Sequence, residues 1–444
     1  MVRWQILASV AISLMLAGSA RAQSYSLAEA SQAGTCYRIE LTMSLTGKLK
    51  VLVDEQEKTL QESASATHQY FERILETGTD GIPTKSGRLY KEAQVCIIVD
   101  SNKVRRSLRP EHFFLAAHRQ RDGLLAWSPE SPLTQEEADV TDHFDTLTVA
   151  GLLPADKQSV GSTWKISNAV VQALCHVPAL SEQNVTCKLD DVKDDIAIFS
   201  VSGEAAGIDL GASVKTTVAA TGRFDLKEQR LVALQWKQTD ERGQGPVSPA
   251  SSFEVTVKLT RTPVETVNEL SDIAVVPLQT APQSDLEFKD AKGRFQMQYA
   301  RDWWLVGKTD EHTVFRLLDR GEFVAQLSVA PWQKAQAGKH LSADEIKSIV
   351  ANSPGWAQET LLKDEEVKLP TGQWAYLVAG AGDLGQDRAV QYFYFVAGPE
   401  GDQAMLTFTM TPTQAQKLGS RDLELVQRFL LPGARREAQV KPAQ

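Results

Sequence analysis

The chain has 444 residues, 42% of them apolar and 23% charged, with a formal net charge of −9. Its length exceeds one ordinary core and implies two or three domains, and its composition excludes a globally disordered chain. The acidic balance excludes attraction to nucleic acid or to an anionic membrane surface.

Residues 1–22 read as a cleaved signal peptide. Arg3 gives a positive start, Ile6 to Ala17 an apolar run, and Ala20-Arg21-Ala22 the small-x-small site for cleavage before Gln23. The run is shorter than the ~20 residues that cross a bilayer. Ser19 stands where a lipidated cysteine would be needed. The expectation is an exported protein, periplasmic or secreted, that is not membrane-spanning.

Thr35 to Met43 alternates, with Tyr37, Ile39, Leu41 and Met43 on one face, which is a half-buried strand. Leu49, Val51 and Val53 begin a second. Further strands are predicted at Ala64 to Leu75, Val95 to Val99 and His112 to Gln120, the last turning at Asp122-Gly123 into Leu124 to Trp127. Thr134 with Glu137 forms a capping box for a helical pattern ending near Gly151 and Pro154. After a short helix at Ala169 to Leu174, five strands follow in succession to Leu259. This succession implies an antiparallel meander with one face on a core. Residues 23–262 are therefore one sheet-based unit, or two halves joined near 150–160. Residues 263–285, with Pro263, Pro277 and Pro282, read as a linker.

Five of the nine tryptophans lie beyond it. A hairpin (Leu286 to Asp290, Phe295 to Tyr299) leads to strands at Thr313 to Leu318 and Phe323 to Ala330. A helix capped by Ser342 and Glu345 comes next. Strands then recur to Thr411, and a closing helix carries Leu423, Val426, Phe429 and Leu430. Gly293-Arg294-Phe295, Tyr299, Asp302-Trp303-Trp304 and this element order, over residues 286–432, resemble the PsbP-like fold. The resemblance implies an α/β sandwich used for docking to partners, without a catalytic centre common to the family. The N-terminal unit is similar in topology to curved-sheet carriers of the LolA and LppX type. The fold class is thus α+β: a large antiparallel-sheet unit, then a PsbP-like domain, then a polar tail at 433–444.

Four cysteines follow the leader, an even number in a chain sent to an oxidising compartment, so disulfides are expected. Cys175 and Cys187 enclose a short loop that a bridge would stabilise by about 3 kcal/mol. Cys36 and Cys96 pair by elimination. No close paired spacing for zinc exists, and no metal or cofactor is expected. Gly380-Ala381-Gly382-Asp383-Leu384-Gly385 matches G-x-G-x-x-G, but a strand follows it where a dinucleotide site needs a helix, so it reads as a hairpin tip. Glu136, Glu137, Asp139, Asp142, His143 and Asp145 could do acid–base work, yet their spacing reads as a solvated acidic helix face. His112 and His118 fall on one predicted strand. The cluster Lys103, Arg105, Arg106, Arg109, Arg119 and Arg121 reads as a guarded sheet edge. Adjacent strand residues point to opposite sides, so one of Trp303 and Trp304 is the expected partner surface. The function expected is non-catalytic binding or docking to an envelope or extracellular protein. The alternative is carriage of a lipid or other apolar ligand in the N-terminal sheet, and an enzyme centred on His143 comes third.

Overall fold

The computed structural model describes residues 23–29, 31–53, 56–120, 123–279, 282 and 284–435. The leader, Arg121, Asp122 and the tail from residue 436 lie outside them.

One 13-stranded antiparallel sheet dominates the chain up to Val264. Its order runs from Thr163–Lys165 through Thr186–Lys193, Ile196–Asp209, Ala212–Asp225 and Arg230–Arg242 to Ala250–Val264. That last strand pairs with Cys36–Val53 in continuous register, from Val264 opposite Cys36 to Ala250 opposite Lys50. Gln56–Thr77, Pro83–Val99, Phe114–Gln120 and Gly123–Trp127 follow, and two side strands, Ala179–Gln183 on Ile196–Asp209 and Asn102–Ser107 on Pro83–Val99, bring it to thirteen. The two halves left open by the sequence are therefore one sheet, joined through the first and last long strands of the part before residue 265. Strict alternation makes this possible: in Ala212–Asp225 every second side chain is buried.

Both faces are covered near the middle. On the inner face lies a plug, residues 134–153, made of helix α1 (Gln135–Thr141) and a 3-10 turn (Thr148–Leu152). Its Val140, Phe144, Leu147, Val149 and Leu152 enter the main core. Helix α2 (Asn168–Cys175) flanks it and ends on His176, whose φ of 52° supplies the left-handed cap. On the outer face Leu270, Val275 and Leu278 pack over Ala116 and Trp127. Gly87 permits that approach, because a Cβ there would lie 2.9 Å from Leu278 Cδ1. The segment expected as a bare linker is thus partly a buried strap.

The C-terminal part holds a 7-stranded antiparallel sheet in the order Trp303–Lys308, Thr313–Asp319, Glu322–Trp332, Gln403–Met410, Asp387–Ala397, Trp374–Leu384, Trp356–Glu366. Helix α3 (Ala343–Ala351) carries the predicted Ser342–Glu345 capping box and buries Ile346 and Val350 on one face. A 4-stranded sheet joins the two parts, since Leu133–Thr134 pairs in parallel with Leu286–Lys289. The predicted closing helix is two short ones, α4 (Pro412–Leu418) and α5 (Arg421–Val426). Phe429–Leu430 leaves the helix because it forms a strand on Gln296–Tyr299. Gly380 and Gly382 lie inside a strand paired on both sides, so of this segment only Gly385, at the turn, stands at the predicted hairpin tip.

The expected disulfides are corrected: all four cysteines are free. Cys36 lies opposite Arg73 and Cys96 opposite Ser65 on the same strand, Gln56–Thr77. Those partners are eight positions apart, or about 26 Å at ~3.3 Å per residue, against a bridging limit of about 7 Å. Cys187 Sγ is turned to the Leu152 carbonyl at 3.5 Å, and Cys175 is buried at the end of α2. Burial pushes both of these thiols up to about 12.

Candidate functional site

The inner face carries a polar layer beneath the plug. Arg88 donates to Glu72 at 2.9 Å, and each of these side chains is 1% exposed. Ser86 and Thr146 also donate to Glu72, and Arg88 reaches Thr146 at 3.1 Å. Burial alone would lower the Arg88 pKa, but the neighbouring Tyr70 and Glu72 carry it well above the ordinary value. His143 lies 3.0 Å from the Phe144 carbonyl through Nδ1, so that nitrogen donates and Nε2 accepts from the Tyr90 hydroxyl at 2.9 Å. His68 Nε2 donates to the Val140 carbonyl at 2.9 Å, and its ring centre is 4.6 Å from that of His143. Burial drives both imidazoles to the neutral form, His68 to about 4 and His143 well below its usual value.

The acidic residues of the plug are accordingly not one solvated face. Glu137, His143 and Asp145 are buried, whereas Glu136, Asp139 and Asp142 are exposed. Glu137 accepts from Arg109 and lies 2.9 Å from His112 Nδ1. Burial would raise its carboxyl, yet the hydrogen bonds from His112 and Arg109 hold it far below the carboxylate range. His112 sits in a 3-10 turn (Pro110–His112), while His118 is on the following strand against Trp127, so the two do not share a strand. Arg106 pairs with Asp139, which leaves Lys103 and Arg105 as the exposed part of the basic cluster on Asn102–Ser107, a strand that among the described residues pairs only with Pro83–Val99.

Two hollows adjoin the plug. The first, of about 310 Å³, lies on the concave face. Strand register builds its floor: Met43 stands between Ala66 and Val257, and Leu45 between Ala64 and Val255. Phe144 and Trp236, with ring centres 5.5 Å apart, close one end. Leu49, opposite Leu60, continues the same apolar row past the plug, where it is only half-buried.

The second hollow, of about 670 Å³, is a cleft of mixed polar and apolar lining between the plug, α2 and the C-terminal part. Arg119, Gln135, Asp142, Gln172, Arg301 and Trp304 contribute to its walls. Trp303 and Trp304 split as adjacent strand residues do. Trp303 is buried edge-on to Phe408, and Trp304 is half-buried and faces the cleft. Sequence reasoning missed Arg88, Glu72, His68 and Arg301; the first three occupy inner-face positions where a strand pattern calls for apolar residues, and that interruption was the available signal.

No protein-family model matches the chain, and no curated protein does. Among solved structures the chain is similar to cyanobacterial PsbP (CyanoP) from Synechocystis sp. PCC 6803, at 18% identity over 35% of this chain and 99% of that one, with a TM-score of 0.26. It is also similar to the Ran-binding protein Mog1p of Saccharomyces cerevisiae, at 12% identity, 33% and 95% coverage and a TM-score of 0.27. Similarity to lipovitellin covers 53% of this chain and 26% of that one, at 8% identity and a TM-score of 0.32. The PsbP-like resemblance is thus partial, over about a third of the chain, and none of these structures speaks to the LolA and LppX likeness.

Proposed function

We propose that the protein is a non-catalytic carrier of an apolar or amphipathic small molecule, held in the hollow of its curved sheet and acting after export. One observation carries the reading. The concave face holds an apolar cavity of about 310 Å³, within the size range of small-molecule sites, and its floor runs on into half-buried apolar residues that water would otherwise wet. In the polar layer beneath it Arg88, Glu72, Thr146 and Tyr90 are tied together by hydrogen bonds that support the plug, and among the described residues His68 Nδ1, at the wall of the hollow, is the one buried polar atom of the layer left without a partner. The test is displacement of an environment-sensitive acyl dye from the mature protein. Ala66→Phe, which places a ring in the hollow, should abolish uptake while leaving the melting temperature within a few degrees; uptake unaffected by that ring would sink the reading.

Docking to an envelope protein is the second reading. Strand Trp356–Glu366 is an edge strand, and its Leu361 and Leu362 are 50% and 48% exposed. An unpaired edge with apolar side chains suits a partner that adds a strand. Leu361→Lys with Leu362→Lys should then abolish capture of a partner protein without altering acyl-dye uptake.

A further inference from the structure

The two hollows meet at one rim. Asp139, Asp142, His143 and His176 line both, and three of these, Asp139, Asp142 and His176, are exposed at the surface. A ligand whose tail lies in the apolar hollow would reach the cleft across these shared residues. The cleft holds Arg301 and Asp142 close enough to attract one another without closing into an ion pair. Arg301 donates from Nε to the Ser284 carbonyl at 2.8 Å and from Nη2 to the Ala126 carbonyl at 2.7 Å; among the described residues it forms no ion pair, and the nearby carboxylates, Asp142 first, act on it from longer range. Arg119 has only a long contact of 3.9 Å to Asp80 and a 3.5 Å bond to Thr148. Asp142 has no ion pair among the described residues, whereas the other carboxylates of the cleft are engaged: Asp139 with Arg106, Asp209 with Arg242, Asp145 with Thr148. Trp304 adds an aromatic wall, a surface that attracts an organic cation.

We infer that the cleft is the head-group site of the carried ligand, and that this ligand is a zwitterionic amphiphile with a phosphate and an ammonium in its head. The inference rests on the carrier reading. Arg301 and Arg119 take the phosphate through charge-assisted hydrogen bonds, Asp142 and Trp304 take the ammonium, and the acyl chain crosses the rim to the row of Met43 and Leu45. A purely anionic head would leave Asp142 facing it, and a purely cationic one would face Arg301.

The test titrates the mature protein with single-chain amphiphiles of one acyl length and four heads: phosphoethanolamine, phosphoglycerol, glycerol and trimethylammonium. The zwitterionic probe should bind about tenfold more tightly than each of the others. Arg301→Gln and Asp142→Asn should each erase that preference while leaving the glycerol probe's affinity unchanged. Asp142 is exposed and makes no ion pair among the described residues, so its substitution tests the site even if Arg301→Gln fails to fold. Glycerophosphoethanolamine, the head without a tail, should not compete. Equal binding of all four heads, or a preference that survives Asp142→Asn, would overturn the head-group site and leave the apolar hollow standing. Tight binding of the tailless head would overturn the joint ligand in favour of a free zwitterion. Failure of every probe to bind would remove the carrier reading with it.

Discussion

Acidification reads the buried histidines directly. His68 titrates at about 4 in the folded protein against an ordinary 6.5, because burial disfavours its charged form. The native state thus refuses a proton that the unfolded chain accepts. Stability from this term is complete above pH 6.5, falls as the pH drops towards 4, and levels off below that. A window of about two and a half pH units, at about 1.4 kcal/mol per unit, is worth about 3 kcal/mol. His143 contributes in the same direction, since its pKa is also depressed by burial and by its proximity to His68. The assay is urea unfolding at half-unit steps from pH 7.5 to 4.5, comparing wild type with His68→Gln. The glutamine can still donate to the Val140 carbonyl but does not titrate. The variant should lose less stability than wild type across this window, by about 3 kcal/mol. Parallel pH profiles for the two proteins would refute the claim that His68 is buried in the neutral form.

The remaining predictions concern charge, thiols and the strap. Glu72→Gln leaves Arg88 charged and buried, and should cost about 3–5 kcal/mol by denaturant midpoint, whereas adding Arg88→Met should recover much of that loss. Reductant should leave the melting temperature unchanged. In the native protein a thiol reagent should label the half-buried Cys96 before Cys175 or Cys187, and peptide mapping that finds a Cys175–Cys187 bridge would contradict the structure. Leu278→Asp buries a carboxylate beneath the strap, so limited proteolysis should then cut first within residues 265–279; unchanged cleavage would show that the strap is not anchored by Leu278.

The alternating strands were legible in the sequence because one face of each meets core, as at Tyr37, Ile39 and Leu41. The strand Pro83–Val99 was recognised only from Val95, since Lys85, Ser86 and Arg88 occupy positions that a hydrophobic pattern fills with apolar residues. The same interruption hid the polar layer, because Glu72 and Arg88 satisfy each other only once two strands are paired. The plug's capping box at Thr134 and Glu137 was visible, but its helix was extended too far: beyond Thr141 the chain follows tertiary bonds at His143 and Thr146 and a local turn in which the Asp145 carboxylate accepts from the Leu147 and Thr148 N–H groups. The cysteine count suggested bridges, yet pairing depends on register. Register placed Cys36 and Cys96 opposite distant points of the strand that lies between theirs. The apolar floor at Met43, Leu45, Ala64 and Ala66 was legible as strand residues and not as a hollow, because its opening arises from where the plug stops.

Native mass spectrometry of the mature protein, purified from its own compartment without detergent, tests the carrier account most directly. Wild type should carry an added mass that dissociates as a phospholipid-class amphiphile, and Ala66→Phe should fly as the bare chain. Bare wild-type protein, or the same adduct retained by Ala66→Phe, would contradict it.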